Sequence, residues 1–324
     1  MKRTLPSVWA AIQAHRRDGP IRPSWTVRTT AVVAYVRARF ASALRHPAPR
    51  GRQELDRAGA LGGLRFPVTI AQMRIAGVPC ESVAPKGKPR GTLFWFHGGA
   101  YTFGSPKSHR SLLAELAHVT GLEVLAVDYR LAPEHPAPAA LEDALAVWSA
   151  WRRLHPTRPV AFGGDSAGGG LTIATAQALA DANTAMPDAL VLLSPWVDLT
   201  CSFPSHVRHA DADYLPTQRI AELADRVRGE LPLDDRRLSP ALHDSPRLPP
   251  TLIHVGTAEV LHDEGVALAD RLKAAGTAVT LERWADQVHV WHAFSPLLPS
   301  ASEAIARVGQ WTTTQLKVPA TSRP

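Results

Sequence analysis

At 324 residues, with 45% hydrophobic and 20% charged residues, the chain has a globular composition and enough length for one large core or two ordinary ones. No uninterrupted apolar window of about 18 residues occurs, and Cys80 and Cys201 alone cannot build a zinc cluster or a disulfide framework. The net charge of +7 is uneven, since residues 1–52 hold eleven Lys/Arg against Asp18 alone; without zinc-finger spacing or an aromatic-basic motif, this predicts no nucleic-acid partner.

The chain opens on "MKRTLPSVWAAIQAHRRDGP", a basic start with a short apolar stretch broken by Pro6 and Gln13 and no small-residue cleavage site. A cytoplasmic protein with reduced thiols and no stable membrane association is expected. Residues 24–45 set Arg28, Arg37, Arg39 and Arg45 among apolar residues at helical spacing. The Pro/Gly/Arg-rich "RHPAPRGRQ" that follows reads as a linker.

From about residue 68 strand-like and helix-like runs alternate. Strands are expected at 92–96, 123–129, 159–164, 189–194 and 251–256, most of them nearly continuous apolar runs of the kind covered on both faces. Helices are expected at 108–121, 139–154, 166–182 and 265–276. This alternation predicts an α/β fold with a mostly parallel sheet. Residues 200–248 interrupt it with loops and one short helix, "TQRIAELADRVRG", and are expected to lie over the sheet as a lid.

"FGGDSAGGG", Phe162 to Gly170, contains G-x-S-x-G between a predicted strand and a predicted helix, the context of a nucleophile elbow. The tight turn would expose the Ser166 hydroxyl, with the helix N-terminus beside any developing anion. A phosphate-cradling loop is the bland reading, but the P-loop lysine and the G-x-G-x-x-G register are both missing. A second glycine-rich turn, "LFWFHGGAY", ends a strand at His97. The amides of Gly98 and Gly99, with that of Ala167 after the serine, would supply donors to the oxyanion of a tetrahedral intermediate.

Together "HGGAYTFGSPKSH", "DYRLAPEHPAPAALEDA", "GDSAGG", "LLSPWVDLT", "HVGTAEVLHDEG" and "HVWHAF" resemble the hormone-sensitive-lipase family of α/β-hydrolases, the bacterial family IV esterases. The likeness spans residues 68–312, with the motifs in family order. Ala100, Gly163, Gly170 and Thr172 depart from the usual pattern, and none is a proposed catalytic side chain. The resemblance implies an α/β-hydrolase fold: a mostly parallel central sheet, helices on both faces and a helical cap. Residues 1–60 would form an N-terminal cap segment. Residues 61–324 would form the catalytic domain, with a second cap segment at about 200–248.

A serine nucleophile needs a base oriented by a carboxylate, and in this fold the chain order is serine, acid, histidine. The resemblance puts the base at His289 and the acid at Glu259, with His292 and Asp263 as the respective rivals. His97 and Asp128 would suit only the order of a β-barrel protease, so His97 is expected to brace the oxyanion loop. Asp198 reads as a loop brace, Asp165 as too close to the turn to orient a distant imidazole, and Glu142 and Asp143 as helix-face residues.

The expected activity is serine carboxylesterase chemistry on small short-to-medium acyl esters, through an acyl-enzyme and without metal or other cofactor. Lactones, N- or O-acetyl compounds, or a binding role without catalysis are the alternatives. Dimers occur among similar proteins, and no feature of the sequence compels a homodimer here.

Overall fold

The computed structural model describes residues 7–59 and 65–318. The first residues and the expected boundary at 60/61 lie outside them. Helix α1 (Val8–Asp18) starts where the Ser7 hydroxyl accepts the Ala10 N–H at 3.1 Å. Helix α2 (Val27–Ala43) starts where Thr26 does the same for Thr29 at 3.2 Å.

The expected linker is instead covered by helix α3 (Ala48–Gly59). Pro47 precedes the helix and Pro49 lies in its first turn, where a missing N–H costs nothing. Gly51 lets α3 press close, since a Cβ there would lie 2.7 Å from Phe103 Cε1 and 2.8 Å from the Ala43 carbonyl. Arg52 then reaches the carbonyls of Thr102 and Ala132 at 2.8 and 2.7 Å. What reads as a spacer is a packed element.

A hairpin follows, β1 (Val68–Ile75) and β2 (Val78–Pro85), and after it the alternation the sequence predicts. In chain order come β3 (Thr92–Phe96), α4 (Arg110–Thr120), β4 (Glu123–Val127), α5 (Ala139–Leu154), β5 (Val160–Asp165), α6 (Ala167–Asp181) and β6 (Ala189–Leu193). Residues 200–248 carry α7 (Ser205–Arg208), α8 (Thr217–Val227) and a 3-10 turn at Pro240–Leu242, with no strand. Then come β7 (Thr251–Gly256), α9 (His262–Ala274), β8 (Val279–Trp284), a 3-10 turn at Trp291–Phe294 and α10 (Pro299–Gln315).

The eight strands are ordered β1-β2-β4-β3-β5-β6-β7-β8, and only β2 runs against the rest. Side chains alternate across a strand, so β3 sends Phe94 and Phe96 to one face and Leu93 and Trp95 to the other. Phe94 and Phe96 pack with Phe162 and Trp148, while Leu93 and Trp95 pack with Leu113, Val191 and Ile305. Each such side chain contributes about 1.5–3 kcal/mol by leaving water, and this explains why the central strands have no polar face. The parallel strands β3 to β7 end at one edge of the sheet, and the loops leaving that edge carry the site. Among the described residues no helix is long and apolar enough to cross a membrane.

Candidate active site

Strand β5 ends at Asp165 and helix α6 begins at Ala167, so Ser166 alone makes the turn. Its φ of 54° and ψ of −124° lie outside the ordinary regions, a strain of about 1–3 kcal/mol that the surrounding bonds must hold. The Ser166 N–H donates to the Leu193 carbonyl, and its own carbonyl accepts the Trp196 N–H, both at 2.9 Å. Gly168 makes the close approach possible, since a Cβ there would lie 1.9 Å from the Phe96 carbonyl oxygen.

Ser166 lies in a cavity of about 620 Å³, and Gly98, Gly99 and His289 share its lining. The N–H groups of Gly98, Gly99 and Ala167 donate to no other group among the described residues. Buried amides are normally spent, so three unspent ones on the cavity that Ser166 lines are donors free to receive an anion. Helix α6 adds its positive end. His97 braces this loop as expected. It is fully buried, its Nδ1 meets the Gly98 carbonyl at 2.8 Å, and its own carbonyl accepts the Tyr129 hydroxyl at 2.6 Å.

His289 and Glu259 come from the loops after β8 and β7. The His289 Nδ1 stands 3.7 Å from Glu259 Oε2, and the pair is shut off from solvent. Burial pushes Glu259 up to about 8 and His289 down to about 4, the latter against Asp213 and Asp165, which favour its charged form. The imidazole is therefore neutral at rest, the state a general base requires. The Ser166 hydroxyl and the imidazole face the same cavity and are not hydrogen-bonded to each other in this structure. Contacts of this kind often tighten only with substrate bound.

The rivals lie elsewhere. His292 is fully buried, and its Nε2 meets His254 Nδ1 at 3.2 Å, away from the cavity. Asp263 accepts the Ser205 N–H at 3.1 Å and pairs with Arg208 and His262. Asp198 closes its own loop by accepting from the backbone and hydroxyls of Thr200 and Ser202. Asp143 braces Arg130 at 2.9 Å.

Two partners escaped the sequence reading. Asp165 accepts Trp95 Nε1 at 3.0 Å and meets His109 Nε2 at 3.2 Å. Burial opposes charge on both, yet Asp165 holds His109 above its ordinary value and is itself held below. Ser194, at the end of β6, donates to Glu259 Oε2 at 2.6 Å. A serine at the carboxyl edge of a parallel strand was the available signal, since such edges carry the sites of open α/β sheets.

The cavity walls come from α2 and from the 200–248 stretch: Val32, Tyr35 and Phe40 of α2 line it with Leu215 and Ile220, and Phe294 lies beside them. Arg39 is the exception in this apolar wall, and it is paired with Glu54 at 3.2 Å. Among the described residues no group of three or more His, Cys, Asp or Glu is placed to hold a metal ion.

A family model for the alpha/beta hydrolase fold matches residues 93–293. An acetyl-hydrolase of Streptomyces hygroscopicus is 44% identical over 239 residues, covering 72% of this chain and 79% of that protein. An esterase of Acinetobacter venetianus is 31% identical over 250 residues, covering 76% and 82%. Among solved structures, an esterase from the bacterial hormone-sensitive lipase family has a TM-score of 0.84 at 35% identity, covering 90% of this chain and 99% of that one.

Proposed function

The chain belongs to the hormone-sensitive-lipase family of α/β-hydrolases, and on that premise we propose that it is a serine carboxylesterase acting on small acyl esters through Ser166, His289 and Glu259. The observation that carries this reading is the unspent set of amides at Gly98, Gly99 and Ala167 beside the Ser166 hydroxyl. Such an arrangement stabilises charge that exists only in the transition state, and losing one donor of this kind costs about 2.7–4 kcal/mol.

In the proposed reaction Ser166 Oγ attacks the ester carbonyl while His289 takes its proton. The carbonyl oxygen becomes an oxyanion held by the three amides, and Glu259 stabilises the imidazolium. The C–O bond to the alcohol then breaks, His289 returns the proton to the departing alcohol, and an acyl-serine remains. Water repeats the sequence and releases the acid. Every step uses residues of this chain.

A cavity of about 620 Å³ with apolar walls accommodates short-to-medium acyl chains. The likeness to the Streptomyces hygroscopicus acetyl-hydrolase favours acetyl as the acyl group within that range. The same proposal takes residues 1–60 and about 200–248 as cap segments over a catalytic domain at 61–324. It puts the protein in the cytoplasm, consistent with the free Cys80 and Cys201, whose thiols burial pushes up to about 12.

The test is hydrolysis of p-nitrophenyl acetate, butyrate and octanoate, with lactones and N-acetyl compounds alongside. A pre-steady-state burst on the shorter esters, absent in Ser166→Ala, is expected. A chain that binds these compounds and turns none over would overturn the reading in favour of a binding role.

A further inference from the structure

Asp213 is a buried carboxylate for which the proposed chemistry has no use. It lies in the second cap segment, just ahead of α8, with only 1% of its surface exposed. Its Oδ2 accepts the N–H of Val260 at 2.8 Å, and its Oδ1 accepts the N–H of His289 at 3.2 Å and of Tyr214 at 2.7 Å. Val260 follows Glu259 directly. One carboxylate thus clasps the backbone of both loops that carry the acid and the base.

The clasp is held from behind. Arg37, on α2, directs one terminal nitrogen at the carbonyls of Asp211, Ala212 and Asp213, at 2.8, 3.1 and 2.7 Å. A continuous chain of hydrogen bonds therefore runs from the N-terminal cap helix, through the second cap segment, to the backbone of His289. A brace of Asp213's own loop would need neither Val260 nor His289.

We propose that Asp213 is a positioning residue for hydrolysis, fixing the Glu259 and His289 loops relative to each other, and that Arg37 makes the N-terminal cap helix part of that arrangement. The proposal rests on Glu259 and His289 being the acid and the base. Its physical content is geometric. The 3.7 Å between His289 Nδ1 and Glu259 Oε2 is already long, and reacting groups misplaced by about 1 Å can lose about 10²-fold in rate.

Asp213 also acts through its charge. The groups facing it are Arg37 from α2, Glu259 from the loop after β7, His289 from the loop after β8, and its neighbour Tyr214. Its charge favours the imidazolium of His289, which Asp165 also favours. Burial raises Asp213 itself to about 6, so this charge is present at neutral pH and is lost before His289, held near 4, would gain its proton at rest.

The experiment uses the full chain with p-nitrophenyl butyrate, comparing wild type, Asp213→Asn, Arg37→Met and Ser166→Ala, each checked for folding by circular dichroism. Asparagine offers one acceptor where the carboxylate offers two. Asp213→Asn is expected to lose about 10²-fold in kcat with KM within about threefold of wild type. Arg37→Met should lose about tenfold in kcat, again with little change in KM.

A folded Asp213→Asn with kcat within about twofold of wild type would overturn the proposal. So would a loss confined to KM, which would make the residue only a pocket support. If Asp213→Asn does not fold, Arg37→Met decides by the same criteria. Hydrolysis surviving in Ser166→Ala would instead overturn the proposed function itself, whatever the other variants do.

Discussion

Ser194 and Glu259 are joined by a 2.6 Å hydrogen bond to the same oxygen, Oε2, that faces His289 Nδ1 at 3.7 Å. The other face of the Ser194 hydroxyl accepts the N–H of Val290, next to the histidine, at 3.0 Å. Among the described residues Glu259 Oε1 and His289 Nδ1 have no hydrogen-bond partner. A hydroxyl on the neighbouring strand thus ties the acid to the loop of the base, while the direct contact between them stays loose.

Replacing Ser194 by alanine leaves the Val290 N–H buried without an acceptor and Glu259 without its closest donor. The expected cost is about 1–3 kcal/mol of stability, read by urea unfolding, together with a fall of about tenfold in kcat. Wild-type stability and turnover in Ser194→Ala would contradict the role given to this hydroxyl.

Glu259→Gln should lose about 10⁴-fold in kcat, by analogy with the loss of a triad carboxylate elsewhere. It also carries a pH signature. Burial raises the folded Glu259 to about 8 from an ordinary value of 4.5, so the folded chain keeps a proton that the unfolded chain releases. That contribution is fully present below 4.5 and is lost as pH rises through 8. The melting temperature of Glu259→Gln relative to wild type should therefore increase between pH 5 and pH 9. A difference that is flat across that range would exclude a protonated buried acid.

How much of this could be read from the chain depended on which residues act through their own side-chain pattern. Strands β3 and β7 fall where the apolar runs 92–96 and 251–256 predict, because a strand covered on both faces has no polar position to blur it. The hairpin strand β1 escaped because most of it is exposed at the sheet edge, leaving Ile70 and Met73 partly open to solvent. Helix α10 escaped because "PSASEAIARVGQWTTTQ" mixes small residues with three threonines, which weakens the apolar stripe.

The serine and the glycine amides were legible for the opposite reason: their chemistry needs fixed local spacing. Ser194 and Asp213 act through hydrogen bonds to residues 65 and 76 positions away, Glu259 and His289 respectively. No local pattern records such a bond. The cavity walls were equally opaque, since any apolar residue of suitable size can line them.

Burial holds His289 near 4, against an ordinary value of 6.5. A general base must be neutral, so the lowered value extends activity toward acid. Protonation of the imidazole itself should therefore enter the kcat/KM profile only below pH 6.5. An acid limb centred at or above 6.5 would mean that the histidine is more hydrated than the structure has it.

Gly98→Ala tests the anion receptor. A Cβ at this position would lie 2.2 Å from Asp165 Oδ2, so the loop carrying two of the three amides must shift. Transition-state stabilisation should fall by about 2.7–4 kcal/mol, seen as a drop in kcat at nearly constant KM. A variant that is folded and fully active would remove Gly98 from the oxyanion site.

The central claim is that Ser166 is the nucleophile and His289 its base, and the most direct measurement is peptide mapping by mass spectrometry after treatment with a fluorophosphonate. One adduct is expected, on the peptide containing Ser166, forming rapidly in wild type and very slowly in His289→Ala. An adduct on another serine, or labelling at the wild-type rate in His289→Ala, would contradict the account.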